Sequence, residues 1–425
     1  MIYALTWIPI GVAFLMLWIP KDKENFHKAL VYAATGLSFL ITLSLFVSFD
    51  RTLAGYQFIS SISWLPGLGI SYKVGLDGIN LTLCLLHALV SFAGAFAAVR
   101  TKEQTKLYLI LYLILVGAIY GVFSTLDLFF LYLFYELTLI PLYPMIAIWG
   151  SKDKEYGAMK LTLFITTGAV LSLFGLLMLY KEANLKTFDL IAMTTALQTN
   201  ALSMDFQTWL TPFILIGFGV MASLWPVHSW SPIGYAAAPT SVSMLHAGVL
   251  KKMGPYLILR VAVGLLPKGM GAWADWLAIL AGIGIIYAGY AAIRQKDLKF
   301  MVGFSSVSHM GYILLGIAAM TTVGISGTVL LMFSHGVMAA ATFALIGFIY
   351  EQTHTRGVRD FGGLGKQVPF LAVCFIMASL ASLGLPGFSN FAAELLVFIG
   401  AWSKYPIIVG FAVFGILITA IYLCE

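Results

Sequence analysis

Five ionisable side chains lie where a long apolar run leaves no water to solvate them. Glu136 sits in LDLFFLYLFYELTLIPLYP, nine residues beyond Asp127. Lys252 sits in SVSMLHAGVLKKMGPYLILR, His309 in GFSSVSHMGYILLG, His335 in LLMFSHGVMAAATF and Glu394 in LPGFSNFAAELLVFIG. Two acids, one base and two imidazoles, each near the middle of its run, make the inventory of a proton relay. Low-dielectric surroundings push a carboxyl and an amine towards their neutral forms, and a nearby opposite charge re-ionises either. Histidine titrates near neutral pH without help. Charge at mid-membrane is costly, about 2.5–3.5 kcal/mol on insertion scales, so it marks function by default. The structural alternative is a hydrogen-bonding group tying helices together. That alternative carries more weight for the imidazoles, which are cheaper to bury when neutral. Lys251, adjacent to Lys252, projects about 100° away on a helix, so only one of the two is expected to line a path. His87 and His246 read as packing residues, and Arg260 and Asp127 as residues near span ends that can snorkel.

The elements that position these groups must be membrane helices. Of 425 residues, 60% are hydrophobic and 10% charged, and mean hydropathy is +0.95. A soluble domain is nearer 45–50% apolar and about 25% charged, so soluble, disordered and fibrous classes are excluded. Apolar runs fall at 2–19, 29–49, 79–99, 107–124, 127–149, 161–180, 208–226, 240–263, 272–292, 300–320, 323–349, 369–400 and 405–423. At about 20 residues per span this predicts an all-α polytopic membrane protein of 13 helices. Two connections, 50–78 and 181–207, read as strand-like or irregular. The first run lacks a basic leader and a small-residue cleavage site, so it reads as a retained span.

Lysine and arginine set the orientation. Connections after odd-numbered runs carry 15 basic residues and those after even-numbered runs carry six. The excess marks the cytoplasmic side, which places the N-terminus outside. The net charge of +6 is therefore an orientation signal, and no basic patch suggests nucleic acid. Cys84, Cys374 and Cys424 stand singly, with no spacing that would hold zinc, haem or an iron–sulfur cluster. No redox centre is expected in this chain.

Two runs contain breaks. ASLWPVHSWSP places Pro226 and Pro232 around His228, and ASLGLPGFSN places Pro386 and Gly387 mid-run. Proline ends or kinks a helix, and unwound backbone at membrane depth is tolerated where it is buried in protein or lines a wet cavity. Paired broken helices in corresponding halves point to an ion site. Glu136 precedes the first break as His309 precedes the second, so spans 4–8 (106–266) and 9–13 (267–425) read as two five-helix repeats. Residues 1–105 precede them. Five is odd, so the second repeat enters from the opposite side and the two are inverted.

These segments together resemble the antiporter-like proton-pumping subunits of respiratory complex I, the M-type (mitochondrial subunit 4-like) member in particular. The resemblance covers nearly all of 79–423. It rests on FLYLFYELTLIPLY, WPVHSW, APTSVSMLHAGVLKKMG, GFSSVSHMGYILLG, FSHGVMAA, YEQTHTRGVRDFGGLG and LPGFSNFAAE. It implies that Glu136 is the fifth-helix glutamate, Lys252 the eighth-helix lysine, and His228 the histidine of the seventh-helix break. His309 and His335 match the central hydrophilic axis, and Glu394 the twelfth-helix acid of the M-type. The family's seventh-helix lysine is replaced by Met221, and Ile233, Gly234 and Tyr235 stand where the family is usually acidic and histidine-containing. The family usually has a fourteenth helix beyond the thirteen runs read here. The implied activity is proton translocation coupled to quinone reduction, with NADH or ferredoxin as donor, in a bacterial cytoplasmic membrane. FMN, iron–sulfur clusters and quinone are then expected in partner subunits, and antiporter-like neighbours as membrane partners. The alternative is a subunit of a multisubunit sodium/proton antiporter without redox chemistry.

Overall fold

The computed structural model describes residues 1–424. The chain runs α1 (Ile2–Trp18), α2 (Glu24–Ser48), β1 (Gln57–Leu65), β2 (Ile70–Leu76), α3 (Gly78–Ala98), α4 (Thr105–Ser124), α5 (Leu128–Trp149), α6 (Lys154–Ala183), α7 (Leu190–Thr199) and α8 (Met204–Met221). It continues with α9 (Trp230–Ala237), α10 (Thr240–Gly248), α11 (Met253–Leu257), α12 (Pro267–Ile293), α13 (Leu298–Ala319), α14 (Thr322–Thr353), α15 (Leu364–Gln367), α16 (Pro369–Ser382), α17 (Ser389–Trp402) and α18 (Pro406–Cys424). Nine of these helices, among the described residues, are long and apolar enough to cross a membrane. The other apolar runs hold the 17-residue α1 and three helices that are interrupted.

Two of the interruptions fall where proline predicted them, between α8 and α9 and between α16 and α17. The third, in run 240–263, was read as continuous helix. There α10 gives way to a 3₁₀ turn at Leu250–Lys252, then α11, then a π-helical stretch at Ile258–Val263. Pro255 has no N–H to return to the Lys251 carbonyl, so regular α bonding cannot pass this point. The connection 181–207, read as irregular, contains α7. Asp189 caps it by accepting from Ile191 N and Ala192 N, which is enough to start a helix in a polar stretch. The 50–78 connection is an antiparallel hairpin that pairs Ile62 with Tyr72.

The two halves match in detail. Asp127 caps α5 by accepting from Phe129 N and Phe130 N, and Asp297 caps α13 by accepting from Lys299 N and Phe300 N. Leu128 N donates to Phe188 O and Leu190 N to Leu126 O, while Leu298 N donates to Arg356 O and Val358 N to Lys296 O. In each half, the segment after the third helix therefore pins the start of the second. The broken pairs α8/α9 and α16/α17 follow in the same order, which establishes the predicted repeat in the fold.

α4 and α13 are almost wholly enclosed, while α2 and α18 keep large apolar faces outward, as lipid-facing helices do. Small residues bring the inner helices close. Gly327 of α14 lies against the α17 backbone, so close that a Cβ there would come within 2.7 Å of Val397 N and 2.9 Å of Ala393 O. Gly327→Val is expected to destabilise the α14–α17 contact by about 1–3 kcal/mol, the usual cost of overpacking. A fall in the thermal unfolding midpoint in detergent checks this, and an unchanged midpoint refutes it.

Candidate functional site: a buried titratable axis

Each break leaves carbonyls without helical partners, and the fold satisfies them with side chains from the interior. At the first, Trp230 Nε1 donates to Val220 O at 3.0 Å. At the second, Ser382 O lies 3.0 Å from His309 Nε2. Gly384, at φ +69°, and Gly387, at φ +106°, occupy left-handed backbone that glycine adopts without cost. A Cβ on Gly384 would also run into the Glu394 carboxylate. The second break thus brings a histidine and a glutamate to one unwound turn.

Four of the six predicted residues form one string. Lys252 Nζ lies 2.9 Å from His335 Nδ1 and also donates to Ala247 O. The His335 and His309 rings lie 5.0 Å apart, centroid to centroid. His309 Nε2 lies 3.9 Å from Glu394 Oε1. Lys252 and His335 are 0% exposed, His309 1% and Glu394 4%. His309 Nδ1 faces Ser305 O at 2.8 Å. A neutral imidazole has one N–H and an imidazolium two, so the neutral ring donates to one of these two carbonyls at a time. His335 Nε2 has no hydrogen-bond partner among the described residues. The string therefore offers proton donors and acceptors in sequence along four different elements.

Glu136 and His228 stand apart from it. Glu136 is half-buried on α5, in no ion pair among the described residues, and Tyr132 is the hydroxyl near it. Met221, at the position where the resemblance implies a lysine, is fully buried. His228, 5% exposed, lies in the first break with its ring 5.2 Å from Tyr287 and its Nδ1 without a hydrogen-bond partner among the described residues.

Lys251 and Arg260 differ from expectation, while His246 packs between aromatic rings. Lys251 does project away from Lys252, yet it also faces a polar interior. Its Nζ donates to Ser231 Oγ at 3.0 Å and to Ser306 Oγ at 3.4 Å, and lies 5.4 Å from the Tyr235 ring centre. A helix enclosed on all sides can use two faces, which adjacency alone does not reveal. His246 sits between the rings of Trp230 and Tyr235, at 5.3 and 5.1 Å, with neither ring nitrogen hydrogen-bonded among the described residues. Arg260 does not snorkel. It pairs with Asp77 at 2.6 Å and is 9% exposed.

This is the architecture of a polytopic membrane protein in which two matching helix units enclose a lateral row of titratable groups. The family model described as NADH:quinone oxidoreductase/Mrp antiporter, transmembrane, matches residues 125–419, and the chain belongs to that family. It is 36% identical over 427 residues to NAD(P)H-quinone oxidoreductase chain 4-2 of Synechocystis sp., covering 98% of this chain and 76% of that protein. It is 34% identical over 422 residues to NADH-quinone oxidoreductase subunit M of Rickettsia typhi, covering 98% and 85%. A chain of respiratory complex I from Thermus thermophilus with bound NADH superimposes with a TM-score of 0.91 at 28% identity, over 100% of this chain and 87% of that one. A chain of the Mrp complex from Dietzia sp. DQ12-45-1b shares the fold, with a TM-score of 0.87 at 21% identity over 100% and 78%.

Proposed function

We propose that the chain is a membrane subunit of a proton-translocating NADH- or ferredoxin-driven quinone oxidoreductase. It carries no redox centre and conducts protons along Lys252, His335, His309 and Glu394. The observation that supports this is the string itself. Lys252 Nζ and His335 Nδ1 are within direct reach at 2.9 Å, while the 5.0 Å between the imidazole ring centres and the 3.9 Å from His309 to Glu394 need one water or a turn of the ring to carry a proton. Glu136 and His228 stand apart from this string and complete the proposed path on its other side. In this reading the string spans the repeats, 106–266 supplying Lys252 and 267–425 supplying the two histidines and Glu394. FMN, iron–sulfur clusters and quinone belong to partner subunits, which deliver redox energy as charge movement at the axis. The excess of lysine and arginine after odd runs puts those connections in the cytoplasm and the N-terminus outside, in a bacterial inner membrane.

Purification of the assembled complex through a tag on this chain tests the reading. Flavin and iron–sulfur absorption together with quinone reduction is the expected result. A colourless assembly of membrane subunits overturns it in favour of a cation/proton antiporter.

A further inference from the structure

Lys251 and Lys252 are consecutive, fully buried and turned to different sides of one 3₁₀ turn. Such a turn has three residues per revolution, so neighbours project about 120° apart. Lys252 Nζ faces His335 Nδ1 on α14 at 2.9 Å. Lys251 Nζ faces Ser231 Oγ on α9 at 3.0 Å and Ser306 Oγ on α13 at 3.4 Å. Ser231 follows the first break directly, its N–H donating to His228 O at 3.0 Å. Among the described residues, neither amine is in an ion pair with a carboxylate.

We propose that Lys251 is an electrostatic latch on Lys252: the two amines keep one positive charge between them, and a proton held on Lys251 stops Lys252 from recharging. The inference rests on the reading of Lys252 as part of a proton path. Two observations carry it. The first is charge, since like charges on consecutive buried residues without an anion strongly disfavour each other. The second is the chemistry of the partners. A lysine that gives up its proton exposes a lone pair on Nζ, and in a dry interior that lone pair needs a donor. The Ser231 and Ser306 hydroxyls donate as readily as they accept, so Lys251 is satisfied in either form. Other buried bases are held differently. Lys299 Nζ faces Ala238 O at 2.7 Å and Arg260 faces the Asp77 carboxylate at 2.6 Å, and these partners only accept, which suits a fixed charge. When Lys252 passes a proton to His335 Nδ1, one N–H bond breaks on the amine and one forms on the ring. Lys251 Nζ then takes the Ser231 hydroxyl proton, and the serine oxygen takes one from a hydrated proton on the first-repeat side, which leaves as water. Recharging of Lys252 reverses that uptake.

The sign of the effect at Lys251 tests the proposal, with proton uptake and quinone reduction measured per assembled complex in sealed vesicles. Lys251→Met removes the latch and should lower the protons moved per electron while quinone reduction continues. Lys251→Arg keeps a charge that cannot be released, holds Lys252 discharged, and should cut uptake about 10²-fold or more, as loss of a proton-transfer group does. A purely structural bridge from Lys251 to α9 and α13 gives the opposite order, because arginine still donates to the serines. Arginine no worse than methionine therefore overturns the inference. Arginine is also bulkier, so Ser231→Ala combined with Ser306→Ala is measured beside it. Without a donor for its lone pair Lys251 keeps its proton, and this double variant should fall with arginine; parent uptake there overturns the inference even if neither Lys251 variant assembles. Lys252→Met in the same series keeps the axis reading separate. If it pumps like the parent the axis fails, whereas loss there with arginine no worse than methionine strikes the latch alone.

Discussion

Lys252→Met should abolish coupled proton translocation while the complex still assembles. Methionine is close to lysine in length and apolar, so the fully buried site is filled without a cavity. What goes is the ammonium that meets His335 Nδ1 at 2.9 Å. Two consequences follow. The relay loses a proton carrier, and a positioned proton-transfer group contributes about 10²–10⁴-fold in rate. His335 is also left buried with neither ring nitrogen partnered, since Nε2 has no partner to begin with. On the proposed coupling of redox turnover to the axis, electron transfer should slow in step with pumping. Proton uptake and quinone reduction measured together in sealed vesicles check this. A variant that assembles and pumps at the parent ratio and rate refutes the role of Lys252. Lys252→Arg keeps the charge but cannot release it, and should match the methionine variant. If loss of fixed charge were the whole effect, arginine would rescue activity.

The helices were legible because lipid imposes a simple rule, that a run of about 20 apolar residues must satisfy its own backbone. The breaks at Pro226 and Pro386 were legible for the same reason, since proline removes the bond that lipid cannot replace. What escaped the sequence was contact between elements. His309 and His335 lie on separate helices, and nothing in their spacing says that their rings stand 5.0 Å apart. The interruption at Leu250–Lys252 had a signal in Pro255, yet its effect falls on the residues before it, where the pattern still looks helical. Lys251 escaped because adjacent residues on one helix were taken to choose between an inside and an outside. Glu136 was named as a candidate by its type and His228 through the resemblance, but their separation from the string follows from how α5 and the first break pack.

Glu394→Gln should leave the fold intact and remove the terminal proton acceptor, cutting translocation by about the same 10²–10⁴-fold as a lost general acid or base. The substitution is nearly isosteric, and the glutamine side-chain oxygen can still accept from His309 where the carboxylate now lies 3.9 Å away. It cannot take up a proton. His309 then faces Ser305 O and Ser382 O with no titratable group beyond Nε2, so a proton that reaches the ring finds no side chain to take it. A proton arriving from Lys252 through His335 would have neither a stable resting place nor an exit. Gly384 bears on the same point from the backbone. A Cβ at that position meets the carboxylate, so Gly384→Ala should displace Glu394 and reproduce part of the loss without changing any titratable group. Parallel measurement of proton uptake in the two variants separates chemistry from placement. If Gly384→Ala reduces uptake while Glu394→Gln does not, the carboxylate is a packing group and the path ends at His309.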